Sequence, residues 1–155
     1  MTEDWNTVYN QLQGLAWKCF LHMANYAPNS KLNDPTVMSA IEEFAGKKSS
    51  ISLIHYFPAT KAELDKCTVC AEHEDTGILT FGVRSDVPGL VIFDQMKKDW
   101  VEVEQHVKPT DIVAFIGQKT PLFSGNDFYK PTLHKVLVEP NTERNALVFL
   151  LDVAK

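Results

Sequence analysis

Apolar side chains recur at helical spacing through the first residues of the chain. Trp5, Val8, Tyr9, Leu12, Leu15, Ala16, Cys19, Phe20 and Met23 fall three or four apart, which predicts an amphipathic helix over 4–26 with a core-facing stripe. Pro28-Asn29-Ser30 stops it. A second, shorter helix is expected after Asp34, a good N-cap. Pro35 takes its first position, Val37, Met38, Ile41 and Phe44 face inward, and Gly46 serves as the C-terminal cap. From Ile51 onward the pattern changes to short apolar runs split by turn residues. Strands are expected over 51–57 (ended by Pro58), 78–83, 90–94, 100–103, 111–116, 132–138 and 145–152, and 69–71 leads into the motif at His73. Thr60 and Glu63 make a capping box for one helical turn, and Lys97-Lys98-Asp99 turns a hairpin. Many short strands at this spacing predict a mainly β sandwich or jelly roll. The expected organisation is a single domain over 1–155, with a helical front (1–46) joined at 47–50 to a β core (51–152).

Composition narrows the partners. At 155 residues the chain is long enough to bury a real core. The net charge is −5, and no run of Lys or Arg forms a stripe, so nucleic acid is excluded as the expected partner. Nothing reads as a membrane span or a signal peptide. Three cysteines do not make a disulfide framework, and a reducing, cytoplasmic setting is expected. Cys67-Thr68-Val69-Cys70 lacks a second ligand pair for zinc and precedes a strand, so both cysteines are taken as packing residues. His22 and His106 have no motif context.

The chemistry centres on His73-Glu74-Asp75. Residues two apart on an extended strand point to the same face, so His73 and Asp75 can converge while Glu74 looks away. A third ligand must come from elsewhere, and His134 sits where a later strand begins. Two imidazoles and one carboxylate on one face of an octahedral metal form the facial triad of non-haem Fe(II) oxygenases, with the remaining positions open. Taken alone, a His-x-Asp pair is commonplace.

Its surroundings are more specific. His73-Glu74-Asp75-Thr76-Gly77-Ile78-Leu79-Thr80 is followed by Asp86-Val87-Pro88-Gly89-Leu90, Trp100-Val101-Glu102-Val103 and Asn126-Asp127-Phe128-Tyr129, ahead of His134-Lys135-Val136. That order resembles the catalytic region of the 2-oxoglutarate/Fe(II)-dependent dioxygenases similar to isopenicillin N synthase, over roughly 51–152. The resemblance implies a double-stranded β-helix (jelly roll) core with N-terminal α-helices. It also implies Fe(II) on His73, Asp75 and His134, 2-oxoglutarate as co-substrate, and O2 and a small organic molecule as reactants.

In that family an Arg-x-Ser pair on a late strand holds the far carboxylate of 2-oxoglutarate, because a planar guanidinium grips a carboxylate with two parallel hydrogen bonds. Here the stretch reads Arg144-Asn145-Ala146, so the arginine matches and the serine does not. The family often carries Asn-x-Tyr-Pro on the first core strand; this chain has His55-Tyr56-Phe57-Pro58. If Pro58 sets the register, Phe57 replaces the tyrosine. If the strand shifts by one residue, Tyr56 supplies the hydroxyl. The expected reaction is oxidation of the substrate, most simply hydroxylation. The rival readings are a non-catalytic metal-binding β-helix used as a binding or assembly module, and an iron oxidase that does not use 2-oxoglutarate. Family members usually carry a long N-terminal region ahead of the first helix, and this chain begins almost at that helix: it is either a short member, for which a wider mouth or a partner subunit's wall is expected, or a piece of a longer protein. Trp17 and Leu21 lie off the helix stripe, and with Trp5 they point to a homodimer.

Overall fold

The computed structural model describes residues 2–26, 34–66, 68–124 and 128–153. Its first helix, α1 (Thr2–Tyr26), buries the line Leu12, Ala16, Phe20 and Ala24, spaced four apart. Val8, Tyr9, Trp17, Cys19 and Met23 flank that line and are partly buried. Leu15 and Trp5, expected inward, are exposed. Leu15 lies one position, about 100° of helix rotation, off the buried line. The second helix, α2 (Pro35–Lys48), starts as expected: the Asp34 carboxylate accepts from Thr36 N–H at 2.8 Å, and Pro35 occupies the first turn. It ends later than expected. The helix continues through Gly46 to Lys48, and Ser49 caps it by donating its N–H to Ala45 O at 3.1 Å, with its hydroxyl on the same carbonyl. Both helix ends are therefore polar-capped, and a glycine was not needed. The expected stop at Pro28-Asn29-Ser30, and Cys67 of the Cys-x-x-Cys pair, lie outside the described residues.

The rest of the chain is strands and short helical turns: β1 (Ser50–Tyr56), α3 (Lys61–Leu64), β2 (Cys70–His73), β3 (Leu79–Val83), β4 (Leu90–Asp94), β5 (Asp99–Glu102), β6 (Ile112–Ile116), α4 (Lys119–Ser124), β7 (His134–Val136) and β8 (Arg144–Leu151). At α3 the Glu63 carboxylate reaches back to the Thr60 N–H at 2.8 Å. Two four-stranded sheets result, ordered β1-β8-β3-β6 and β2-β7-β4-β5, and every described pairing is antiparallel. This is the mainly β, double-stranded β-helix expected, fronted by helices.

The helices pack on the first sheet. Phe81, Phe149, Leu151, Ile78 and Leu79 meet Phe20, Ile41 and Ala45 in one buried cluster, and Tyr9 stands edge-on to Phe149 at 5.5 Å. Each such large apolar side chain removed from water stabilises the fold by ~1.5–3 kcal/mol. β8 is buried on both faces: Phe149 and Leu151 face the helices, while Arg144, Ala146 and Val148 line a cavity between the sheets. Among the described residues, no helix is long and apolar enough to cross a membrane.

Candidate metal centre and its cavity

His73 and His134 are direct cross-strand partners at the end of β2 and the start of β7. Their rings lie 4.3 Å apart. Strand β2 ends at His73, and Asp75 stands two residues on, in the turn that leads to β3. Its Oδ1 is 3.4 Å from His73 Nε2 and 3.8 Å from His134 Nε2. One ligand atom from each of the three side chains falls within 4.8 Å of the others, the one such cluster among the described residues. Neighbouring corners of an octahedron with ~2.1 Å bonds lie about 3 Å apart, so the three donors need only a small contraction to share an ion.

The other atoms of the three side chains are already engaged. His73 Nδ1 lies 2.8 Å from Ala71 O, and His134 Nδ1 lies 2.9 Å from Thr132 O. A carbonyl can only accept, so Nδ1 of each ring carries the proton and Nε2 presents a lone pair to the centre. The Thr80 hydroxyl, fully buried on β3, donates to Asp75 Oδ2, which leaves Oδ1 for the centre. Burial lowers the basicity of His134, against the opposing pull of the Thr132 carbonyl and Asp75, and so favours the neutral ring that a metal requires. Backbone bonds fix the two approaches. Gln118 N–H donates to Asp75 O at 2.8 Å, and Thr132 N–H donates to Ile116 O at 2.8 Å.

The triad opens onto a cavity of about 110 Å3 that also holds Tyr56, Cys70, Glu104, Phe115, Arg144 and Ala146. Arg144 is 3% exposed, and its Nη1 has no hydrogen-bond partner among the described residues. An unpaired donor of this kind, buried in a cavity that also holds three convergent metal donors, fits an anionic or carbonyl ligand. Tyr56 is the Cα partner of Arg144, and the guanidinium lies 5.1 Å from its ring. Phe57, outside the strand, is 74% exposed. The cavity thus receives Tyr56 and not Phe57, and Ala146 presents only a methyl to it, as its sequence dictates. Cys70, expected only to pack, lies on the cavity wall with Sγ 3.8 Å from His73 Nδ1.

Two residues of this site had no signal in the sequence. Thr80 reads as an ordinary strand residue. Glu104 follows β5 in a single helical turn, is 3% exposed, and pairs with Arg144 Nη2 at 3.1 Å. Burial alone would raise the Glu104 carboxyl. Hydrogen bonds from the Ser85 hydroxyl, the Leu90 and Ser85 N–H groups and the Arg144 charge outweigh it and hold the group at about 2.

The sequence model of one family, described as the 2OG-Fe(II) oxygenase superfamily, matches residues 48–152. No curated protein matches the chain. Among solved structures, a 2OG-Fe(II) oxygenase family protein from Caulobacter crescentus is 24% identical with a TM-score of 0.76, over 99% of this chain and 47% of that one. Neurospora crassa T7H in complex with alpha-KG is 19% identical with a TM-score of 0.72, over 99% of this chain and 46% of that one. AtDAO1, a dioxygenase for auxin oxidation from Arabidopsis thaliana bound to 2-oxoglutarate, is 17% identical with a TM-score of 0.57, over 80% and 49%. The chain spans about half the length of these structures.

Proposed function

Because the chain belongs to the 2OG-Fe(II) oxygenase superfamily, whose cofactor and co-substrate are Fe(II) and 2-oxoglutarate, we propose that it oxidises a small organic substrate, most simply by hydroxylation. Fe(II) is held by His73, Asp75 and His134. The observation that carries this reading is the convergence of three donor atoms whose remaining polar atoms are already tied. With iron bound, the site supplies the family's chemistry: 2-oxoglutarate and O2 give succinate and CO2, and the second oxygen atom goes to the substrate.

The chain's own residues do the rest. The carbonyls of Ala71 and Thr132 hold the two imidazoles in the tautomer that offers Nε2. Thr80 fixes the Asp75 carboxylate so that it binds through one oxygen. Arg144, at the far side of the cavity, offers Nη1 to the end of the co-substrate distant from the metal. Phe115, with its ring 4.6 Å from that of His134, shields one flank of the centre from water.

Anaerobic titration of the Fe(II)-loaded protein with 2-oxoglutarate tests the reading. Growth of a visible metal-to-ligand charge-transfer band supports it. Metal uptake without the band points to an iron oxidase that does not use 2-oxoglutarate, and no metal uptake points to a binding module; either overturns the reading.

A further inference from the structure

Arg144 is not a free cation. Its Nε donates to Val87 O at 3.0 Å, and its Nη2 lies 3.1 and 3.4 Å from the two oxygens of Glu104. A guanidinium can grip a carboxylate two-pronged along either of two edges, Nε with Nη2 or Nη1 with Nη2. Nη2 carries two hydrogens, one on each edge, and Glu104 lies on that nitrogen. Any ligand that Arg144 grips therefore meets a guanidinium whose charge a carboxylate in contact already counters.

Glu104 is built not to yield. Its Oε1 accepts from Ser85 N–H at 3.0 Å and from the Ser85 hydroxyl at 2.6 Å. Oε2 accepts from Gly89 N–H at 2.7 Å and Leu90 N–H at 2.8 Å. Moving this carboxylate would strand several buried donors at once. The far end of the cavity thus carries one positive and one negative charge in contact, an Nη1 with no partner among the described residues, and the Ala146 methyl beside it.

Resting on the function proposed above, we propose that Glu104 is a specificity-determining residue of the co-substrate pocket. It counters the charge of Arg144, leaving a neutral anchor whose unpartnered nitrogen is Nη1. Such an anchor suits the carbonyl oxygen of an uncharged tail as well as it suits a carboxylate. The pocket therefore accepts 2-oxo acids with a neutral acceptor at the far end, of which the 5-amide of 2-oxoglutarate is the isosteric case, about as tightly as 2-oxoglutarate itself. Glu104 acts through Arg144 and touches no reacting atom.

The test is calorimetric binding of 2-oxoglutarate and of 2-oxoglutaramate to the Mn(II)-loaded protein, wild type and Glu104→Gln, each first checked for folding by circular dichroism. For the wild type the two dissociation constants should agree within about tenfold. In Glu104→Gln the charge of the guanidinium is no longer countered, and the ratio should move toward 2-oxoglutarate by about 10- to 100-fold, the value of one charge-assisted hydrogen bond. A wild-type preference for 2-oxoglutarate above about tenfold overturns the proposal. A folded Glu104→Gln with an unchanged ratio also overturns it. If Glu104→Gln does not fold, the wild-type ratio alone decides. If the metal binds but neither acid does, the 2-oxo acid reading of the site fails and this inference fails with it.

Discussion

Gly117 ends β6 against the turn that carries Asp75, and there is no room there for a side chain. A Cβ at this position would stand 2.2 Å from Gly77 O, 2.7 Å from Gly77 C and 3.1 Å from Asp75 O. Carbon contacts become comfortable near 3.5 Å, so Gly117→Ala must drive the two backbones apart by about 1 Å. Backbone bonds that span that seam include Gln118 N–H to Asp75 O at 2.8 Å and Lys119 N–H to Gly77 O at 3.0 Å. Overpacking costs about 1–3 kcal/mol, and each weakened bond up to about 1 more. The expected loss is thus about 2–4 kcal/mol, or roughly 5–15 °C in Tm for a domain of this size. Because the displaced turn carries Asp75, metal affinity should fall about 10- to 100-fold as well, the usual effect of losing support behind a ligand. Thermal melts with chelator, followed by metal titration of the same samples, separate the two effects. Gly14→Ala is the control, since a Cβ there meets nothing within 4 Å and the residue lies inside α1. It should hold or slightly raise Tm. A Gly117→Ala protein that melts and binds metal like the wild type would refute the coupling between this seam and the triad.

Thr80→Val keeps the shape of the side chain and removes the donor to Asp75 Oδ2. Metal affinity measured by competition with a chelating dye should fall about tenfold or more, with the fold intact by circular dichroism. The Glu104 carboxyl sits at about 2 in the folded protein against an ordinary 4.5, so the unfolded chain binds the extra proton first. Its contribution, about 3 kcal/mol, is fully present above pH ~4.5 and is lost as the pH falls toward 2. Denaturant midpoints should drop across that window in the wild type, and the drop should be shallower in Glu104→Gln. Leu21 is exposed on α1, about 180° of helix rotation from the buried Leu12, and a homodimer through that side of the helix is expected. Light scattering at micromolar concentration should give twice the chain mass, and Leu21→Ser should halve it.

The sequence pattern carried the two helices, seven of the eight strands within a few residues and the likeness of the triad to a facial set. Periodicity sufficed there, because a half-buried strand or helix writes its buried face directly into residue spacing. The pairing of His73 with His134 rests on strand register across 61 residues, which no local spacing encodes. Tyr56 and Phe57 could not be told apart from Pro58 alone. The strand stops at Tyr56, and its pairing opposite Arg144 turns that ring inward. Glu104 was hidden for a different reason. The alternation Trp100-Val101-Glu102-Val103 marks the glutamates as outward, but the chain leaves β5 at Glu102, and a single helical turn swings Glu104 into the interior. α4 is six residues long with Pro121 inside it, too short to write a helical stripe.

β8 has consequences for anyone who would redesign this pocket. Its even-numbered positions 144, 146 and 148 look into the cavity, and Phe149 and Leu151 look into the helix-packed core. The lining of the pocket and the packing of the core are thus written largely on alternate residues of one strand. A library randomised at Ala146 and Val148 would explore new ligands while leaving the core sequence untouched, whereas one that included Phe149 would lose most of its members to misfolding before any was screened.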